Sequence, residues 1–139
     1  MSLDQTMLND FKDSKYATGR RKKSIAKVWL NKGTVNIFVN GKKYDVYFKR
    51  SNHISQLLRP FEIIEQATSY DVRCSVKGGG HSGQVGAMIH GISKALLLFD
   101  SGLKPTLKKE KLTTRDSRSV ERKKYGHRKA RRSFQFSKR

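Results

Sequence analysis

Gly78-Gly79-Gly80-His81-Ser82-Gly83-Gln84 is the stretch of this chain whose residue types and spacing could do chemistry. Three chemistries fit such a loop in outline. A nucleotide P-loop needs Gly-x-x-x-x-Gly-Lys-Ser/Thr, because the lysine reaches the terminal phosphates and the hydroxyl holds magnesium. No lysine follows Gly83 or Gly86, which excludes it. A nucleophile elbow reads Gly-x-Ser-x-Gly. Gly80-His81-Ser82-Gly83 fills its first four positions, but Gln84 stands in the fifth, and 139 residues hold no repeated βα units of the kind a hydrolase sheet requires. The third is a backbone clamp on nucleic acid. Glycines let the chain approach a sugar–phosphate backbone closely, and the start of a following helix favours an anion. A loop that simply needs positive φ explains the same glycines, and the pattern does not choose between the two.

The remaining candidates carry less. His53, His81, His90 and His127 include no pair at i,i+4 spacing, and Cys74 is the single cysteine. That pattern calls for no metal, no cofactor and no internal disulfide. Cys74 reads as a small core residue. Asp116 and Glu121 lie among cations and are expected to form local ion pairs rather than an acid–base couple.

Charge points to the partner. The chain has 31 Lys+Arg against 11 Asp+Glu, a formal net charge of +20. Residues 104–139 alone hold 15 basic and 3 acidic residues. Such a surplus attracts nucleic acid, an anionic membrane or an acidic protein. A membrane-surface protein would show a basic amphipathic helix, which the basic segment lacks. Nucleic acid is therefore the leading partner. Tyr125, Phe134 and Phe136 interleave with the cations of the tail, so rings can stack on bases while cations meet phosphates. The same tail has too few aliphatic residues to offset its ordering entropy alone, so it is expected to order on RNA. Gly19-Arg20-Arg21-Lys22-Lys23 adds four consecutive cations, read as the approach to the first strand. The N-terminal MSLDQTMLNDFKDSKY carries three Asp and no apolar run, unlike a secretory signal or a transit peptide.

Positioning elements follow from periodicity. Residues 24–30 and 34–39 read as strands joined by the turn Asn31-Lys32-Gly33, with Asn40-Gly41 a second turn and residues 42–44 a short return strand. Residues 51–58 and 60–66 read as two short helices, because Pro60 interrupts the spacing. Residues 70–77 alternate strictly and form the clearest strand. A helix is expected over 83–99 with Ser82 as its N-cap, and a short basic helix over 103–111. Strands and helices that do not strictly alternate imply an α+β domain, a small sheet covered by helices on one face.

Several motifs in series carry a family resemblance. They are Ala17-Thr18-Gly19-Arg20-Arg21-Lys22, Val39-Asn40-Gly41, Tyr47-Phe48, Gly78-Gly79-Gly80-x-Ser82-Gly83-Gln84, His90-Gly91-Ile92, Leu112-x-Thr114-Arg115-Asp116, Val120-Glu121-Arg122-Lys123-Lys124-Tyr125-Gly126, Lys129-Ala130-Arg131-Arg132 and Gln135-Phe136-Ser137-Lys138-Arg139. Together they closely resemble the S-nine family of small-subunit ribosomal proteins, in its bacterial or mitochondrial type, from about Tyr16 onward. Ile89 departs from the family pattern, which usually has Arg there.

The resemblance implies a non-enzymatic structural protein of the small-subunit head. Its fold would be that of the second domain of ribosomal protein S-five, a small mixed sheet covered by helices, followed by a long extended basic tail. The chain then divides into an extension (1–15), a domain (16–111) and the tail (112–139). Contacts to rRNA fall on Arg20, Arg21, Lys22 and Lys23, on Gly78, Gly79, Gly80, Ser82 and Gln84, and on Arg115, Arg122, Lys123, Lys124, Lys129, Arg131 and Arg132. Ser137, Lys138 and Arg139 would approach peptidyl-site tRNA. Partners are rRNA, that tRNA and neighbouring head proteins, with no membrane, no homo-oligomer and no cofactor. The compartment would be the mitochondrial matrix or the bacterial cytoplasm.

Overall fold

The computed structural model describes residues 14–33, 36–64 and 70–136. In chain order these form β1 (Lys15–Arg21), β2 (Ser24–Lys32), β3 (Ile37–Val39), β4 (Lys42–Lys43), the one-turn helix α1 (Tyr44–Tyr47), α2 (Ser51–Ile63), β5 (Tyr70–Lys77), α3 (His81–Phe99), a 3₁₀ turn (Ser101–Leu103) and α4 (Lys104–Lys109). The five strands make one mixed sheet in the order β1-β2-β5-β3-β4. All neighbours are antiparallel except β3 and β5.

Alternation builds a one-sided sheet. Ala26, Val28 and Leu30 on β2 and Val72, Cys74 and Val76 on β5 are buried. Against them pack Val85, Met88, Ile92 and Leu96, which recur along α3 at helical spacing, and Leu57 and Phe61 from α2. Cys74 lies in this core, and burial pushes its thiol far above the ordinary range. The mixed α+β class and the helix-covered face are as expected from the sequence.

Several elements differ from expectation. Arg20 and Arg21 do not lead into the first strand; they end a separate strand, β1, which pairs with β2 from Lys15↔Leu30 to Arg21↔Ser24. β1 buries only Ala17 and Gly19, because α3 crosses it at backbone distance. A Cβ on Gly19 would run into the Ala87 carbonyl and the Gly91 amide. β2 and β3 are not neighbours, since β5 inserts between them. The return strand ends at Lys43, and Tyr44 opens α1 instead.

The two helices around Pro60 are one, α2. Pro60 removes one backbone bond, but His53, Leu57, Pro60 and Phe61 are all buried along it. Burying a side chain such as Phe61 gives about 1.5–3 kcal/mol, similar to the penalty for an interior proline. The expected end of the second helix, at 66, lies outside the described residues. The expected basic helix splits into the 3₁₀ turn and α4, with Pro105 in its first turn. From residue 113 to 136 there is neither helix nor strand, apart from a bridge between His127 and Ser133.

Candidate nucleic-acid interface

The antiparallel register sets Ile25 opposite Lys77, so the start of β2 and the end of β5 share one end of the sheet. The β1–β2 turn, Lys22-Lys23, and the glycine loop therefore meet. Both are tight: Lys22 has φ 53°, Gly78 79° and Gly79 62°. The loop is tied down from within. The Gly78 carbonyl accepts from Ser24 Oγ at 3.0 Å and from Gln84 Nε2 at 3.2 Å. Gln84 Oε1 accepts from the Tyr47 hydroxyl at 2.9 Å. Asn40 brackets the strand just before it, accepting from the Val76 N–H at 2.9 Å and donating to the Val76 carbonyl at 3.1 Å.

The three glycines are not equivalent. A Cβ on Gly78 would meet the Lys23 carbonyl, and one on Gly79 the Ser24 hydroxyl, whereas at Gly80 it would meet nothing. Positive φ and the neighbouring turn account for the first two. Gly80 leaves backbone open to an outside partner. Gly80 is also the N-cap of α3 and caps it without a side chain. Ser82, expected there, is the second residue of the helix, exposed, with its hydroxyl 3.2 Å from His53 Nε2.

Residues 119–123 close the other side of a cavity of about 620 Å³. Its walls bring together Lys22, Lys23, Gly79, Gly80, Ser82, Arg122 and Lys123, which are up to a hundred residues apart in sequence. An adjoining cavity of about 280 Å³ holds Arg20, Arg21, His90 and Asp116. Gln84 is buried behind this surface as a brace, bonded to the carbonyl of the exposed Gly78. Arg115, Lys124, Lys129, Arg131 and Arg132 line neither cavity.

The acids of this region are internally engaged. Asp116 is gripped by Arg118, whose Nη2 donates at 2.7 Å and whose Nε donates at 3.0 Å, and these bonds hold the carboxyl well below the usual range. Glu121 accepts from Arg131 Nε at 3.1 Å. Among the described residues, Arg115, Arg122, Lys123, Lys124, Lys129 and Arg132 have no ion pair. Their charge is left for an outside anion. His90 accepts from the Arg20 N–H at 3.4 Å through Nδ1. Burial first, then nearby Lys94, lowers its pKa.

The family model for ribosomal protein S9/S16 matches residues 19–139. The chain belongs to the ribosomal protein S9/S16 family. Members of this ribosomal family are structural proteins and not enzymes, and the ribosome, its RNA and its proteins are their setting. His53 Nδ1 is buried and has no hydrogen-bond partner among the described residues. No helix among the described residues is long and apolar enough to cross a membrane.

For this S9/S16 protein, sequence reasoning missed a second basic flank. Lys49 and Arg50 join Tyr47, His53 and His81 around a cavity of about 720 Å³ on another side of the glycine loop. The signal available was the Lys49-Arg50 pair directly before a helix. Ser137, Lys138 and Arg139, assigned to tRNA, lie outside the described residues.

Proposed function

We propose that the chain is the S-nine member of its family, of bacterial or mitochondrial type, a structural constituent of the small ribosomal subunit bound to rRNA in the head. The observation that carries this reading is the groove where Lys22, Lys23, the open backbone at Gly80, and Arg122 and Lys123 converge with no acid left unpaired. A strand of sugar–phosphate laid there meets cations on both walls and bare backbone on the floor. RNA bound by charge and shape in this way needs no base code. The basic tail (112–139) then threads RNA as an extended segment. Its end, Ser137, Lys138 and Arg139, reaches the peptidyl-site tRNA. Neighbouring head proteins complete the environment, and the chain acts as a single copy.

Ultraviolet crosslinking in the source cells, with sequencing of the attached RNA, tests this. The expected result is reads concentrated on the head of small-subunit rRNA, plus an anticodon-arm signal from tRNA that disappears when residues 137–139 are removed. The rRNA sequence itself identifies the compartment. Reads scattered over many transcripts without an rRNA peak would overturn the proposal.

A further inference from the structure

The sheet has a second face, and no helix among the described residues covers it. Strand register aligns one residue from each strand in a row across it: Tyr16↔Trp29↔Arg73↔Phe38↔Lys43. At about 4.8 Å between strands, the row spans about 19 Å. It is aromatic and cationic throughout. The Tyr16 and Trp29 rings lie 5.2 Å apart, and the Arg73 guanidinium sits over Trp29 at 5.4 Å. Tyr16 is 44% exposed, and Trp29, Phe38 and Arg73 are partly exposed.

The neighbouring rows continue the charge. Thr18↔Lys27↔Ser75 and Arg20↔Ile25↔Lys77 put Lys27 and Lys77 on the same side. Among the described residues of these strands the face holds one acid, Asp71, and its carboxylate accepts from the Asn36 N–H at 2.9 Å. Ile25 is its one aliphatic side chain among the residues in these rows. Lys27, Lys43, Arg73 and Lys77 around the rings favour a polyanion over a neutral protein surface. Rings in line with flanking cations match unpaired bases with their phosphates.

We infer that this open sheet face is a stacking platform for single-stranded RNA, separate from the groove at the end of the sheet. Bases lie against Tyr16, Trp29, the Arg73 guanidinium and Phe38, while Lys27, Lys43 and Lys77 meet phosphates. The surface goes beyond the groove reading, because the groove binds backbone and this face binds bases.

Trp29 is the sole tryptophan of the chain, so its fluorescence reports on this face alone. The test titrates the full-length protein with a short dye-labelled single-stranded RNA, reading tryptophan emission and dye anisotropy together. The expected result is strong quenching of Trp29 in step with the anisotropy rise. Tyr16→Ala is expected to weaken the quenching midpoint by about tenfold, and Tyr16→Phe to leave it unchanged. Anisotropy that rises while Trp29 emission stays constant would overturn the platform and leave the groove reading standing. No change in either signal would sink both. Equal quenching by polyglutamate would show a site for acidic protein and overturn the RNA assignment.

Discussion

At residues 78–84 the polar groups turn inward: one carbonyl takes two hydrogen bonds, and Gln84 and Tyr47 close the ring behind it. At residues 113–136, across the same groove, the two acids take Arg118 and Arg131, and the remaining cations face outward. One wall is thus built by folding alone and the other is left incomplete. Mutations in the first should act on stability, and mutations in the second on binding. This division also explains why a glycine-rich loop and a charge run, which look equally functional in a sequence, are different kinds of part.

The largest expected effect is on the cations that line both sides of the groove. Reversing Lys22, Lys23, Arg122 and Lys123 to Glu together should flatten the log K against log salt slope for RNA by about 3–4, at roughly one unit for each phosphate deprived of its cation. Thermal melting should barely move, and a collapsed melt would erase the distinction. Gln84→Ala is the inward counterpart. It strips the acceptor from the Tyr47 hydroxyl and one donor from Gly78, so urea denaturation should show a loss of about 2 kcal/mol. The salt slope should be unchanged; a changed slope would make Gln84 a direct RNA contact.

Within the loop, Gly78→Ala should cost about 1–2 kcal/mol, because an L-residue is forced into positive φ against the Lys23 carbonyl. Gly80→Ala should cost nothing measurable in the same urea series while weakening RNA binding. Equal costs at the two positions would mean that Gly80 too is structural. The smallest effect is in pH. The folded pKa of His90 is depressed, so its contribution to stability is present above its ordinary value of 6.5 and is lost as pH falls below it. Stability followed downward from neutral pH should therefore decline, and His90→Gln should flatten that decline. A rise in stability on acidification would show that His90 favours its charged form.

What the sequence showed depended on side-chain size. β5 and α3 were legible because Val72, Cys74, Val76, Val85, Met88 and Ile92 are large enough to mark a period. β1 was not, because its buried positions are Ala17 and Gly19, and the close crossing of α3 that requires small residues also removes the hydrophobic signal. The break expected at Pro60 does not occur, because the lost backbone bond is outweighed by Phe61, whose burial depends on tertiary contacts. The site was legible as three separate motifs. Their meeting was not, because it follows from the Ile25↔Lys77 register, and register needs the partner strand. Lys49 and Arg50 became candidates only when α1 and α2 placed them beside the loop.

The bridge between His127 and Ser133 sets a length. The Arg128 N–H to Arg132 carbonyl bond at 2.8 Å and the turn at Gly126 (φ 79°) fold this stretch back on itself. With it closed, residues 127 and 133 lie side by side; pulled straight, the eight residues from Gly126 to Ser133 would cover about 26–29 Å at 3.3–3.6 Å per residue. The small hairpin is therefore stored slack within the basic segment. Drawing it out would also part the Arg128 guanidinium from the Phe134 ring, which it covers at 5.6 Å.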